Sequence, residues 1–213
     1  MIGGSIEYDI FIGAKCKNQQ LSEKKQPIDK ELVEKHMPKG YGLFNSVYLS
    51  SMPGIAQDGT FVPSTRGDYY CDSIGYGNGD PVCQEIDVME ASYFEYRATV
   101  HTCNAPTSTG WINECDMDGC NKYVEHEYTN ETFGWGSEYQ INTEQPFHTK
   151  MDFEAADDGS IASVTTTITQ GEKFVVLPLG NKYCNSLAND YLKGIEASLN
   201  NGMVFIASNW GNL

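Results

Sequence analysis

The segment Cys83-Gln84-Glu85-Ile86-Asp87-Val88-Met89-Glu90 carries three acids within six residues, interleaved with strand-forming apolar side chains. In a regular strand Glu85 and Asp87 share one face and Ile86 and Val88 take the other. Glu90 follows Glu85 by five positions and falls on the wrong face, unless one extra residue near Val88–Met89 is taken up as a β-bulge. Three carboxylates then crowd one face, and like charges at such range push at least one pKa upward. An ionised carboxylate beside a protonated one can hydrolyse a glycosidic bond: the first attacks the anomeric carbon and the second protonates the leaving oxygen. In the configuration-retaining form the two carboxyl groups stand roughly 5–5.5 Å apart. Taken alone, the cluster also fits an acidic, solvated strand face.

The elements that must position these acids are mostly strands. Strands are expected over residues 5–12, 43–51, 84–90, 95–101, 137–142, 146–154, 160–168, 173–177 and 203–208, where β-branched and aromatic residues run between turn-forming clusters. Residues 17–40 are polar and Lys-rich and read as an insertion with a short helix near Asp29–His36. A second helix is expected around Ala188–Leu199. Residues 53–82 and 103–123 read as loops. Many short strands with one or two helices define an all-β sandwich, and 213 residues suit a single domain, 1–213.

Composition narrows the function. Acidic residues number 29 against 14 basic, a formal net charge of −15, and no basic stripe is present to neutralise phosphates, which argues against nucleic acid. Residues 1–10 already read as a strand, so neither a signal peptide nor a membrane span is expected, and no membrane partner. Seven cysteines suggest a disulfide framework and a secreted protein. The two expectations are reconciled if the chain is a mature or internal portion of a longer polypeptide. His101, Cys103, Cys115 and Cys120 also admit a zinc reading, which the poor C-x4-C spacing disfavours. No cofactor motif is present; neither a cofactor nor a metal is expected, and the chain is expected to act as a monomer.

The flanks of the acidic segment carry more. Tyr70-Cys71-Asp72-Ser73 followed by Cys83-x-Glu85-Ile-Asp87-Val-Met-Glu90-Ala91 resembles the pattern YCDS…C-x-E-M-D-I-W-E-A of glycoside hydrolase family 7, the cellulases. His101-Thr102-Cys103, Cys115-Asp-Met-Asp-Gly-Cys120, Gly202-Met203-Val204…Ser208-Asn209-Trp210 and Gly42-Leu43…Tyr48-Leu49-Ser50-Ser51-Met52 are similar, in order, to further motifs of that family. The resemblance implies a concanavalin-like β-jelly-roll of two antiparallel sheets and retaining, endo-acting hydrolysis of a β-1,4-glucan polysaccharide. Glu85 would be the nucleophile, Glu90 the acid/base, and Asp87 the residue that positions and tunes Glu85. Tyr48 and Ser73 would hydrogen-bond around the nucleophile and His101 would lie near the acid/base. Asp72 and Asp118 would line the substrate cleft, and Trp210 would be a sugar-stacking platform, against the alternative of a core or sheet-edge aromatic. A family 16-like β-1,3-glucanase also fits EIDVME but not its flanks; a non-catalytic glucan-binding or structural protein is the alternative from another class.

The family pattern also pairs the cysteines as Cys71 with Cys83, Cys103 with Cys115 and Cys120 with Cys184, leaving Cys16. Short loops within the first two pairs imply an open cleft and endo action. The sequence departs from the family at Met89, where a Trp is usual, at Phe44-Asn45, where Asn-Gly is usual, and at Lys122 and Gly211. The family's long segments before and after the matched region have no counterpart, so unpaired edge strands and an incompletely covered core are expected.

Overall fold

The fold is described from a computed structural model over residues 3–12, 44–53, 70–75, 82–93, 95–104, 112, 114–125, 132–179 and 191–210. The expected insertion over 17–40 with its short helix, most of the loop over 53–82, and Cys16 and Cys184 lie outside the described residues.

Two antiparallel sheets form the sandwich. One has the order β1 (Ser5–Ile10), β8 (Phe147–Ala155), β9 (Ile161–Gln170), β10 (Lys173–Leu179). The other runs β11 (Val204–Trp210), β2 (Phe44–Ser50), β3 (Glu85–Ala91), β4 (Glu95–His101), β5 (Cys120–Glu125). Two-residue strands β6 (Phe133–Gly134) and β7 (Ile141–Asn142) pair in parallel beside them. A single helix among the described residues, α1 (Lys193–Asn201), precedes β11.

Alternation in β4 is regular. Tyr96, Ala98 and Val100 enter the core, while Arg97, Thr99 and His101 take the outer face. In β2, Val47 and Leu49 point inward and Ser46, Tyr48 and Ser50 outward. These residues meet Met151, Phe153, Val164, Ile168, Leu177 and Leu179 of the opposite sheet in one continuous core. Tyr96, Phe133 and Phe147 meet edge to face within it, the geometry that aromatic quadrupoles favour. Coverage thins at the β11 edge: Phe205, whose Cα partner is the core residue Leu49, is 55% exposed.

The central strand β3 breaks alternation. Met89 opposes Val47 and Asp87 opposes Tyr48, so Val88 is left over; on the other side Asp87 opposes Thr99 and Glu90 opposes Arg97. This is a two-against-one bulge at Val88–Met89, as the spacing of the acids requires. Ile86, Val88, Met89 and Ala91 all enter the core, and the register skip returns Glu90 to the face of Glu85 and Asp87. The Tyr96 hydroxyl donates to the Val88 carbonyl at 2.9 Å inside the core, giving that buried acceptor a donor where the ladder is irregular.

Helix α1 is amphipathic, with Ile195 and Leu199 four residues apart on the buried side and Leu192 just before them. The Gln84 side chain donates to the Gly194 carbonyl and accepts from Ser198 Oγ, which fastens the helix to the entry of β3. Glu196 accepts from the Ile161 backbone at 3.0 Å and ties it to the other sheet.

Three expectations need correction. Residues 137–142 are not a strand: Asn142 Oδ1 accepts from Gly136 N and Glu144 N, which bends the chain into turns and leaves only Ile141–Asn142 paired. Residues 120–123, read as loop, open strand β5, which pairs with Glu95–Val100 of β4. The helix begins at Lys193, since Tyr191 and Leu192 form a turn, and ends at Asn201 before Gly202, which adopts a positive φ of 94°.

Replacing Tyr96 by Phe removes the partner of the Val88 carbonyl while keeping the ring. Denaturant unfolding is expected to show a loss of about 1–3 kcal/mol, the cost of a buried unsatisfied acceptor; unchanged stability would show that the bulge does not lean on this bond.

Candidate active site

The bulge and the neighbouring strands assemble four titratable groups on the outer face of the five-stranded sheet: Glu85, Asp87 and Glu90 from β3 and His101 from β4. Glu85 and His101 are Cα partners. Glu85, Asp87 and His101 are almost wholly buried.

Glu85 Oε2 accepts two hydrogen bonds from one residue, from Ser73 N at 3.0 Å and Ser73 Oγ at 2.8 Å. The loop that offers Ser73 is stitched to the sheet. Cys71 and Cys83 form a disulfide, Cys83 N donates to Asp72 O at 2.7 Å, and Ser50 Oγ donates to Cys71 O at 2.7 Å. Asp72 braces the same loop through Oδ1, which accepts from Ile74 N and Gly75 N, and through Oδ2, which accepts from the Tyr70 hydroxyl at 3.2 Å. The Tyr48 hydroxyl meets that of Tyr70 at 2.7 Å. Burial raises the Tyr48 pKa and the Glu85 charge adds to the rise, so Tyr48 senses the carboxylate although its hydroxyl is engaged with Tyr70.

Asp87 Oδ2 and His101 Nε2 are 3.1 Å apart, and His101 Nδ1 donates to the Asp116 carbonyl at 2.8 Å. With Nδ1 committed to a carbonyl, Nε2 and Asp87 share a proton. Burial pushes the Asp87 carboxyl up to about 8, with the charges of Glu85 and Glu90 adding and the His101 bond opposing. Burial depresses His101, but its bond to Asp87, the charge of Asp87 and the Asp116 carbonyl outweigh that and raise it to about 9. Glu90 is also raised, by burial and by the Glu85 charge, against the opposing charges of Arg97 and His101.

Two residues that motif reading did not single out hold His101 in place. Asp116 Oδ2 accepts from the Tyr191 hydroxyl at 2.8 Å, and Asp116 Oδ1 accepts from Asp118 N and Gly119 N. The Tyr191 hydroxyl also lies 2.9 Å from Val100 O, so its single proton is shared between two acceptors. Gly119, at φ 64°, packs so closely that a Cβ there would lie 2.7 Å from His101 ring atoms and 2.5 Å from the Thr99 methyl. Asp116 was legible only as the first Asp of its motif, and nothing local in the sequence connects Tyr191 to it.

Asp118 is exposed on the turn after Asp116. Trp210 stands on the β11 edge with its Nε1 donating to Ser46 Oγ at 2.5 Å, and Ser46 is the Cα partner of Glu90. Met89 faces the core, so that departure from the family pattern leaves the outer face untouched. Cys103 and Cys115 are disulfide-bonded and Cys120 is in a disulfide, which removes three of the four ligands of the zinc reading. Ligand atoms of Glu85, Asp87 and His101 lie within 4.8 Å of one another and could approach a cation, but both His101 nitrogens and Glu85 Oε2 already have partners.

No family model matches the chain. It is 25% identical to Endoglucanase type C of Fusarium oxysporum over 209 residues, covering 79% of this chain and 49% of that protein. It is 24% identical to Endoglucanase 1 of Humicola insolens over 207 residues, covering 79% and 52%. The chain thus spans about half the length of the curated relatives it matches. Among solved structures it superposes on an endoglucanase I complexed with cellobiose at a TM-score of 0.71, with 20% identity, over 100% of this chain and 57% of the other. It superposes on a family 7 cellobiohydrolase of Daphnia pulex at a TM-score of 0.64, with 18% identity, over 81% and 54%. The fold is therefore the β-jelly-roll of the family 7 glycoside hydrolases. The resemblance carried by the motifs is borne out by curated endoglucanases and by solved structures alike. Among the described residues no helix is long and apolar enough to cross a membrane.

Two outcomes test this geometry. Asp87 is raised from its ordinary 3.8 to about 8 and His101 from 6.5 to about 9, so between each group's ordinary and raised value the native state binds more protons than the unfolded one and stability must fall as pH rises. The His101 contribution is complete below about 6.5 and gone above about 9. Denaturant melts from pH 6.5 to 9 are expected to show falling stability, with a shallower slope in His101→Asn; equal slopes in the two proteins would refute the shared proton. Gly119→Ala is expected to displace the imidazole and cost about 1–3 kcal/mol, from the positive φ and the clash together. An unshifted His101 NMR titration in that variant would contradict the contact.

Proposed function

We propose that this chain cleaves β-1,4-glucan by a retaining, endo-acting mechanism, with Glu85 as nucleophile and Glu90 as acid/base. The observation that carries the proposal is the bulge that turns Glu90 to the face of Glu85, beside a buried Asp87–His101 pair. The names of the endoglucanase relatives supply the substrate class.

Ser73 fixes one oxygen of Glu85 from two donors and so orients the carboxylate for attack on the anomeric carbon. Glu90, raised by burial and by the Glu85 charge, holds a proton for the departing glucosyl oxygen. Once Glu85 is esterified its charge is gone, and with it one of the causes that raise Glu90. Glu90 then more readily stays ionised and takes the proton of the incoming water. Glu90 thus turns from acid to base without moving, while Glu85 turns from nucleophile to the carboxylate released when water breaks the glycosyl ester. Asp87 sits between them in sequence, and its proton shared with His101 limits the negative charge that Glu85 must face. The short separations Cys71–Cys83 and Cys103–Cys115, each of 12 residues, favour an open cleft that a chain can enter at internal bonds.

Carboxymethylcellulose is the substrate for the test. A fast fall in viscosity relative to new reducing ends is expected, with β-configured first product by NMR and activity that declines as pH rises and Glu90 ionises. Glu85→Gln and Glu90→Gln are each expected to lower the rate by at least about 10²-fold. An α-configured first product, or full activity in either variant, would reject the mechanism. Hydrolysis of laminarin in preference to cellulosic substrates would reject the linkage.

A further inference from the structure

Helix α1 contributes no acid to the cluster, yet its first turn touches a chain neighbour of two of the clustered residues. Glu85 and His101 are Cα partners across β3 and β4. Gln84, which precedes Glu85, donates its side-chain amide to the Gly194 carbonyl. Thr102, which follows His101, packs so closely on the same turn that a Cβ at Gly194 would lie 2.9 Å from the Thr102 Cβ. Tyr191, three residues before Gly194, belongs to the buried core. Its hydroxyl sits between the end of β4 and the residue after Cys115, at 2.8 Å from Asp116 Oδ2, 2.9 Å from Val100 O and 3.5 Å from Thr102 N. Burial and the bond to Asp116 push this hydroxyl above its ordinary range, so it remains a donor. Position 191 falls outside every motif that carries the family resemblance.

Asp116 is the residue that this hydroxyl can govern. The Asp116 N–H donates to Thr102 O at 2.9 Å, and its carbonyl accepts from His101 Nδ1 at 2.8 Å. Its Oδ1 accepts from Asp118 N and Gly119 N, and Tyr191 holds the other oxygen. The carboxylate is thus gripped through both oxygens and cannot turn without losing a bond. We infer that Tyr191 is a positioning residue for the reaction at Glu85 and Glu90: it fixes Asp116, whose carbonyl aims the imidazole at Asp87. The inference rests on the glucanase reading of the same site. The hydroxyl touches none of the three acids, so its effect travels through Asp116 and His101. An imidazole that turns away from Asp87 leaves that buried carboxyl without its partner, between Glu85 and Glu90 on one strand. Small displacements of groups around the reacting atoms lower the rate steeply, whereas substrate affinity is set by contacts that this change leaves alone.

Steady-state hydrolysis of carboxymethylcellulose tests the assignment, with histidine NMR and thermal melts on each variant. Tyr191→Phe keeps the buried ring and removes only the hydroxyl. Its kcat is expected to fall about tenfold with KM within about twofold of the parent, and its His101 ring resonances are expected to move. Asp116→Asn keeps an oxygen for the Asp118 and Gly119 amides and a polar atom toward Tyr191, and is expected to hold kcat within about threefold. Asp116→Ala is expected to lose at least as much as Tyr191→Phe, and the double variant no more than Asp116→Ala alone, as for two residues acting through one route. Leu199→Ala loosens the buried side of α1 without touching the hydroxyl; it is expected to lower the melting temperature yet keep kcat within about twofold. Parent-like kcat in Tyr191→Phe, unmoved His101 resonances, or an equal loss of kcat in Leu199→Ala would each overturn the assignment and leave the glucanase reading standing. No hydrolysis by the parent protein would instead overturn both.

Discussion

A strand has a side-chain period of two, and three acids at positions 85, 87 and 90 cannot share a face under that rule. The surplus residue in β3 is the constraint on which the rest of the site depends. It is held from inside. Val88 and Met89 both enter the core, and the Tyr96 hydroxyl takes up the Val88 carbonyl. The aim of Glu90 is thus set by apolar packing on the opposite side of the sheet. Met89, where the family pattern has Trp, therefore leaves the outer face untouched: its side chain fills volume in the core, and a flexible thioether fills irregular gaps well.

Burying three carboxylates together is unfavourable, and each is relieved differently. Glu85 accepts two hydrogen bonds from Ser73, Asp87 shares a proton with His101, and Glu90 faces the positive charges of Arg97 and His101. These differences give chemically similar groups unlike surroundings within one cluster. The supporting elements converge on the same point. The Cys71–Cys83 disulfide ties the Ser73 loop to the entry of β3, and Asp116 with Tyr191 fixes the imidazole from the side of α1.

Much of this was legible from the sequence because it is encoded locally. The acids, their spacing and the need for a bulge lie in one short segment, and Ser73 and His101 sit inside recognisable motifs. Most strands followed from β-branched runs between turns. Strand β5 was hidden by a segment that reads as a cysteine-bearing loop, and the supposed strand at 137–142 by turns that Asn142 organises through its side chain. Asp116, Tyr191 and Gly119 act through contacts between elements distant in sequence. A glycine required by the approach of an imidazole looks, in one sequence, like any turn glycine.

The pairing of Phe44 with Trp210 belongs to the same class, since neither residue predicts the other until β2 and β11 are in register. It also shows how a departure from a family pattern can carry structure. Substituting an aromatic for Asn removes a hydrogen-bonding group from the outer face, yet the ring finds an indole on its neighbouring strand. A serine two residues along then accepts the indole N–H. The acids of β3 are aimed by the core, whereas the aromatic pair at the rim is built from Cα partners on two neighbouring strands.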